Sequence, residues 1–213
     1  MPGEALAMDA EQAEHMEGLC VTDCTRCPAL VDSRSRIVDG TGPADADVLF
    51  VGEAPGAQED AEGEPFVGRS GTVLDDQLRT VGLERESVRI TNCVRCRPPD
   101  NRDPTTDELE NCRGYLEAEI DRVDPDVVVT LGKVPSEHLL ERSVAVTSET
   151  GSVEEVRLGD TTTPRPVLIC LHPAATLYDR SQESAFAETI QEAAAIAGVS
   201  PTDEGGQSRL GEY

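Results

Sequence analysis

Three short segments of the chain combine tight turns with side chains that can do acid–base and hydrogen-bonding chemistry. They are Gly52–Gly56 (Gly-Glu-Ala-Pro-Gly), Pro65–Arg69 (Pro-Phe-Val-Gly-Arg) and Asn92–Pro99 (Asn-Cys-Val-Arg-Cys-Arg-Pro-Pro). The first segment follows an apolar run and therefore carries the carboxylate of Glu53 at the end of a predicted strand. The third ends another apolar run, and His172 follows a further one. Because ligand sites in open α/β sheets lie outside the carboxyl ends of the strands, we expect these polar side chains to meet there.

Four cysteines have the spacing and loop positions of metal ligands. Cys24 and Cys27 form a Cys-x-x-Cys pair, and fifteen residues separate Cys96 from Cys112. Four thiolates suit either zinc or an iron–sulfur cluster. Zinc sites more often have two Cys-x-x-Cys pairs, so the spacing leans away from a zinc ribbon but leaves zinc open.

The chain has seven cysteines, an odd number. In a protein predicted to be cytosolic they are expected to be ligands or free thiols rather than disulfides. Cys93 and Cys170 lie in or beside apolar runs and are predicted to be core residues, while Cys20 is a weaker competitor of Cys24 for the metal.

Short β-branched runs alternate with helical patterns along the chain, which predicts an α/β fold of three layers, α/β/α, around a mainly parallel four-stranded sheet. The predicted strands are Val48–Val51, Val88–Thr91, Val127–Leu131 and Val167–Leu171. The predicted helices are Gly71–Val81, Thr106–Arg122, Pro135–Glu141 and a last one near Ser184–Ala197, and Thr105 with Glu108 forms a capping box at the start of the second. We predict one domain over 20–199, a polar extension over 1–19 and a disordered polar tail over 200–213.

The charge composition indicates an unusual surface. The 213 residues carry a formal net charge of −24, and all basic residues but one, Lys133, are arginines. An acidic surplus with lysine nearly eliminated is what a surface adapted to multimolar salt would look like, so we predict a halophilic host; an acidic partner or nucleic-acid mimic would explain the acidity but not the missing lysine. No apolar run approaches membrane-spanning length, and no signal peptide is visible at the N-terminus. We therefore expect a cytoplasmic protein.

The motifs together resemble the iron–sulfur, family 4 uracil-DNA glycosylases. That family has a Gly-Glu-[Ala/Gly]-Pro-Gly motif, here Gly52–Gly56, and a Pro-Phe-Val-Gly-[Arg/Lys]-[Ala/Ser]-Gly motif, here Pro65–Gly71. The motif that follows its second strand corresponds to Asn92–Pro104, and its closing His-Pro pair corresponds to His172-Pro173. Order and spacing hold from Cys24 to about Ala197.

The resemblance implies a role for each residue of the motifs. Glu53 would orient or activate the water and stabilise the cationic sugar, and His172 would donate a hydrogen bond to uracil O2 as negative charge develops there. Phe66 would stack on the flipped uracil, and the Asn92 amide would pair with its polar edge. Gly52 would let the backbone approach the base closely.

The implied reaction is hydrolysis of the N-glycosidic bond of deoxyuridine in DNA, which releases uracil and leaves an abasic site. The resemblance further implies a uracil-DNA glycosylase-like fold, a structural [4Fe-4S] cluster (with Zn2+ as the alternative) on Cys24, Cys27, Cys96 and Cys112, and a monomer with uracil-containing DNA as its partner. A sliding clamp or other repair protein is a further partner to consider. The candidate DNA contacts are Arg69, Arg97, Arg102 and Arg180.

The segment after His172 departs from the family pattern. Leu171 replaces the usual aromatic residue before His-Pro, and Tyr178 occupies the position where arginine is expected, with Arg180 two residues later. The chain also lacks the basic, histidine-bearing insertion found after the second-strand motif in a related subgroup that becomes covalently linked to DNA. This argues against that behaviour here.

Three other functions compete with uracil excision. A glycosylase for another deaminated base, such as hypoxanthine, would use the same fold. A non-catalytic, metal-stabilised module that binds damaged DNA would need neither Glu53 nor His172, and an iron–sulfur electron carrier would leave both of them and Asn92 idle.

Overall fold

The structure is a computed structural model, and it describes residues 10–159 and 163–199. The predicted tail at 200–213, and the first nine residues of the predicted N-terminal extension, lie outside the described residues. The strands are β1 Met16–Glu17, β2 Cys20–Val21, β3 Val48–Gly52, β4 Arg89–Asn92, β5 Val127–Leu131, β6 Val153–Val156 and β7 Arg165–Cys170. The helices are α1 Ala10–Glu14, α2 Pro28–Ser33, α3 Ala57–Glu62, α4 Arg69–Thr80, α5 Thr106–Val123, α6 Lys133–Leu140, α7 Val146–Glu149, α8 Ala174–Tyr178 and α9 Glu183–Ile196.

Within the described residues, the main sheet has five strands in the order β4-β3-β5-β7-β6. The first four are parallel, and all four were predicted. The predicted count of four strands is wrong, because β6 adds an antiparallel edge beside β7. Its Val-Glu-Glu-Val sequence has two charged residues and a half-exposed burial pattern, so it lacks the continuous apolar run that marks a buried parallel strand.

Helices cover both faces of the sheet, which confirms the predicted three-layer α/β/α fold. Val48 and Phe50 of β3 pack toward α4 and α9 in one buried hydrophobic cluster. Leu49 and Val51 of the same strand pack toward α5 and α6 in a second cluster. Alternate residues of a strand point to opposite faces, so a strand buried on both sides has to be apolar throughout.

The four long predicted helices are present with ends within two residues of the predicted ones. The capping box at the start of α5 is also confirmed, since the Glu108 N–H donates to Thr105 Oγ1 at 3.3 Å and the Thr105 N–H donates to Glu108 Oε2 at 2.8 Å. Within the described residues, no helix combines the length and the apolar content that crossing a membrane requires.

A buried ionic network fastens α5 to the sheet and to the N-terminal segment. Glu119 of α5 is fully buried and accepts hydrogen bonds of 2.7 Å from both Arg89 and Arg95. Arg95 also pairs with Asp39 at 3.1 Å, and Asp39 in turn accepts the Val21 N–H at 3.0 Å. The charges are compensated within the network, as buried ions must be.

Candidate active site

A cavity of about 320 Å3 opens at the carboxyl ends of β3 and β4, beside the segment that follows β7. We call it the strand-end cavity. Its lining includes residues of all three motif segments, residues close to them in sequence, and His172: Glu53, Ala54, Gly56, Glu59, Phe66, Ser70, Asn92, Asn101 and His172. The parallel pairing of β3 with β4 sets Gly52 directly beside Asn92. The volume corresponds to about ten water molecules, which is room for a nucleobase.

The Phe66 ring and the Asn92 amide pack where Gly52 has no side chain. A Cβ atom at Gly52 would lie 2.4 Å from Asn92 Oδ1 and 2.5 Å from Phe66 Cε2. Any larger residue would therefore displace both groups from the cavity wall. Phe66 and Asn92 are buried, with 6% and 3% of their surfaces exposed, so they are held against the cavity by packing.

His172 lies beside Phe66 in the lining of the strand-end cavity, with ring centroids 5.8 Å apart and planes tilted by 32°. The Ala174 N–H donates to His172 Nδ1 at 3.2 Å. Burial lowers the pKa of His172, and the charge of Glu59 opposes this only in part. The imidazole is therefore neutral near pH 7 with its proton on Nε2, which makes it a hydrogen-bond donor that carries no charge.

Glu53 is half-buried at the cavity wall, and its pKa is raised to about 7. Burial is the largest cause, followed by the charge of Asp103 and a hydrogen bond with that carboxyl group. Near neutral pH, Glu53 thus changes between a carboxylate, which accepts a proton, and a carboxylic acid, which shares its proton with Asp103. This is the range in which a general base is most effective.

Asp103 was missed by the sequence reasoning, which named Arg102 of the same motif as a candidate DNA contact but gave Asp103 no role. The sequence feature that could have indicated it is its place in the Asn92–Pro104 motif, whose other polar residues were expected to face the ligand. The loop is held in place because Arg102 makes two hydrogen bonds to Glu108, of 2.7 and 2.8 Å. These bonds are the main reason that the pKa of Glu108 is lowered.

The four arginines predicted to contact DNA differ in their surroundings. Arg69 is exposed at the first residue of α4, and Arg180 is 93% exposed with Glu183 at 4.0 Å. Arg97 donates from Nε to Asn101 Oδ1 at 2.8 Å at the rim of the strand-end cavity. Arg102 is already engaged by Glu108, so its contacts are those of a loop-positioning residue.

The four predicted metal ligands lie together, and we call them the four-thiol site. Cys96 and Cys112 are buried, and Cys24 and Cys27 pack against them in a third hydrophobic cluster beside α5. Burial raises the pKa of Cys27, Cys96 and Cys112, in the last case to about 12, and neighbouring thiols raise them further. Cys93 and Cys170 are core residues, as predicted, and Cys20 is exposed on β2.

Two sulfur atoms of the four-thiol site, those of Cys27 and Cys96, accept hydrogen bonds from neighbouring side chains. Arg34 donates from Nη1 to Cys96 Sγ at 2.9 Å and from Nη2 to the Cys24 carbonyl oxygen at 2.8 Å. Asn111 donates from Nδ2 to Cys27 Sγ at 3.4 Å. Charged and amide donors at sulfur suit thiolates that carry negative charge. In the described part of the chain, no group of three or more His, Cys, Asp or Glu side chains is arranged to hold a metal ion. The four thiols nevertheless match the number and type of ligands that zinc or an iron–sulfur cluster requires.

Comparison with known proteins connects this geometry to a family. The sequence model described as "Uracil DNA glycosylase superfamily" matches residues 40–194. The chain is 40% identical over 163 residues to a "Type-4 uracil-DNA glycosylase" of Archaeoglobus fulgidus, a match that covers 74% of this chain and 80% of the relative. A protein of the same description from Thermotoga maritima is also 40% identical, with 76% and 82% covered. A "Type-5 uracil-DNA glycosylase" of Pyrobaculum aerophilum is 30% identical, with 84% and 91% covered.

Proposed function

The chain belongs to the uracil-DNA glycosylase superfamily, and from that premise we propose that it hydrolyses the N-glycosidic bond of deoxyuridine in DNA, releasing uracil and leaving an abasic site. It is then a DNA-repair hydrolase. The observation that carries the proposal is the strand-end cavity, in which a neutral imidazole, a buried amide, an aromatic ring and a carboxyl group of near-neutral pKa line one space large enough for a base.

The base would enter this cavity by leaving the DNA stack, which costs a few kcal/mol and less when the base is mispaired. Phe66 would contact the face of the ring. The Asn92 amide, which has both a donor and an acceptor, would pair with the polar edge of the uracil and select against bases with a different pattern.

Cleavage of the bond moves negative charge onto the leaving base. His172 Nε2–H would donate to uracil O2 and stabilise that charge. Because the imidazole is neutral, it needs no negative counter-charge before the bond is cleaved. Donors oriented in advance contribute about 3–4 kcal/mol each in comparable sites. Glu53, as the carboxylate, would accept a proton from the attacking water and stabilise the positive charge on the sugar.

The four-thiol site would hold a [4Fe-4S] cluster, with Zn2+ as the alternative, and its ligands would be Cys24, Cys27, Cys96 and Cys112. When bound, this group would tie the N-terminal segment to the end of β4 and to α5, and it takes no part in glycosidic hydrolysis. The hydrogen bonds from Arg34 and Asn111 to sulfur support the assignment.

The exposed arginines Arg69 and Arg180 and the rim residue Arg97 would contact the DNA backbone, with Arg102 fixing the loop beside them. We further propose a cytoplasmic monomer from a halophilic host, with the described fold lying in one domain over 20–199. At about 1 M salt the Debye length falls to about 3 Å. The large negative charge would then not prevent DNA binding, and a sliding clamp is one protein partner to test.

The test is alkali-revealed strand cleavage of a labelled DNA with a single uracil, measured in roughly molar KCl. Wild type and Asn92→Ala are compared, with Gln191→Ala, an exposed amide on α9, as the control. We expect uracil-dependent cleavage in wild type and the control and a loss of at least about tenfold in Asn92→Ala. No cleavage by a folded, metal-loaded protein would refute the proposal, and cleavage of a hypoxanthine DNA alone would assign the other-base activity.

A further inference from the structure

Arg85 binds three groups from two other parts of the chain. Its Nη1 donates to the Phe66 carbonyl oxygen and to Asp75 Oδ1, both at 3.1 Å, and its Nη2 donates to the Pro65 carbonyl oxygen. Arg85 starts the short 3-10 turn Arg85–Ser87 that leads into β4, and its side chain is only 20% exposed. A guanidinium group offers several donors in one rigid plane, so it can hold two successive carbonyl groups and a carboxylate at the same time.

The backbone that Arg85 holds is strained. Phe66 has φ of +55°, a left-handed conformation that bulky residues seldom adopt. Such a conformation persists only where the surrounding structure fixes it. Gly71 contributes from the other side, because a Cβ atom there would lie 1.7 Å from the Phe66 carbonyl oxygen.

The strained turn has a visible result at the strand-end cavity. It directs the Phe66 ring over Gly52 and toward His172, where the ring forms part of the cavity lining. An extended or helical backbone at Phe66 would point the side chain elsewhere. The position of the ring therefore depends on what holds the carbonyl groups behind it.

We propose that Arg85 is a positioning residue for base binding: by holding the Pro65 and Phe66 carbonyl groups it keeps the Phe66 ring against the strand-end cavity. Arg85 acts only through Phe66 and does not itself contact the base. The proposal rests on the proposed function for its kinetic consequences, since those require that Phe66 contacts the base. Its structural content can be tested without activity.

The kinetic test is a double-mutant cycle on uracil release at limiting DNA. Arg85→Gln should lower kcat/KM by about tenfold, the loss expected for a misplaced stacking ring. In a Phe66→Ala background, the same substitution should change kcat/KM by less than about twofold, because there is no ring left to position. Arg79→Gln is the matched control, since Arg79 is an exposed arginine of α4 that pairs with Asp76 and not with Phe66.

Equal losses from Arg85→Gln in both backgrounds would overturn the proposal, because the arginine would then act by some route other than the ring. If Arg85→Gln does not fold, Asp75→Asn replaces it in the cycle, since this change leaves Arg85 in place but removes its acidic anchor. The same non-additivity with Phe66→Ala is expected, and an additive loss would again overturn the idea.

A second readout uses no catalysis. The chain has only three phenylalanines, so ring-labelled phenylalanine gives three sets of NMR signals, and Phe66→Ala identifies its own. Arg85→Gln should move the Phe66 signals and leave those of the core residues Phe50 and Phe186 in place. Unchanged Phe66 signals would refute the proposal, whereas absence of uracil release in wild type would refute the proposed function and leave this readout intact.

Discussion

Replacing Asp103 by asparagine should shift the pH dependence of the reaction to lower pH. Protonated Glu53 donates a hydrogen bond to the Asp103 carboxylate, and the two negative charges repel each other when both are ionised, so both effects favour the acid form of Glu53. The variant removes the charge and the carboxylate acceptor, and the amide N–H that it introduces can donate to the Glu53 carboxylate. Burial, the largest of the three causes, remains. The other ionisable groups near Glu53 are Glu59 and His172 in the strand-end cavity and the buried Cys93, and the variant leaves them unchanged.

The size of the effect follows from the pKa of about 7. In the proposed mechanism Glu53 acts as a carboxylate, so kcat/KM should rise about tenfold per pH unit below pH 7 and level off above it. At pH 6 about a tenth of the wild-type molecules carry the carboxylate. If the variant lowers the pKa by about one unit, about half of the molecules carry it at pH 6, which is a gain of about fivefold relative to the plateau.

The assay is single-turnover release of uracil from a labelled single-uracil DNA between pH 5 and 9 at constant salt. Asp100→Asn is the control, because Asp100 is exposed in the same loop and does not affect the pKa of Glu53. The reasoning is refuted if the midpoint of Asp103→Asn equals that of wild type or lies above it. A plateau that is lower at every pH with an unchanged midpoint would show that Asp103 positions the loop and does not influence the proton on Glu53.

Four further predictions use other contacts. Glu53→Gln should raise the free energy of unfolding by about 1–2 kcal/mol at pH 8 and leave it unchanged near pH 4. The reason is that the half-buried carboxyl group destabilises the folded protein only when it is ionised. Denaturant titrations at the two pH values measure this. Arg34→Gln should lower the reduction potential of the proposed iron–sulfur cluster by about 60 mV, because a cationic donor to Cys96 Sγ is lost. This shift is a tenfold change in a one-electron equilibrium. A redox titration followed by EPR measures it, with exposed Arg36→Gln as the control. Tyr178→Ala should weaken DNA binding by about 1–3 kcal/mol with an unchanged salt slope, since this exposed side chain carries no charge and its ring can stack on a base. A shallower salt dependence of binding in the variant would contradict it. Glu119→Gln should cost about 3–5 kcal/mol in chemical denaturation, as two buried arginines lose their shared carboxylate, and a cost below about 1 kcal/mol would show that water reaches them.

The sequence was most informative where burial imposes a local pattern. The parallel strands were predicted because a strand covered on both faces, such as Val127–Leu131, must be apolar at every position. The end of each strand then indicated where Glu53, Asn92 and His172 would meet. Strand β6 escaped because Glu154 and Glu155 interrupt its apolar pattern at the sheet edge.

Contacts between distant residues left no such pattern. Arg85 lies nineteen residues from the Phe66 carbonyl group that it binds, and its neighbours in sequence are ordinary surface residues of a short turn. The left-handed backbone of Phe66 could not be predicted either, since bulky residues such as phenylalanine seldom adopt a positive φ. Asp103 could have been weighed as a second carboxylate, but only the folded loop shows that it reaches Glu53.

The two margins of the main sheet bear on how the protein behaves when it is concentrated. At the β4 margin, Thr41 forms a two-way backbone bridge with Ile90, which occupies hydrogen-bonding groups that would otherwise face outward. At the β6 margin, the short strand carries Glu154 and Glu155, and Arg142 pairs with Glu154 across it. Charged, short and capped margins are how natural sheets avoid pairing with one another. Local backbone and side-chain contacts thus protect the described part of the chain against sheet-to-sheet aggregation. Concentrated salt screens the long-range repulsion between negatively charged molecules, but this protection does not depend on that repulsion.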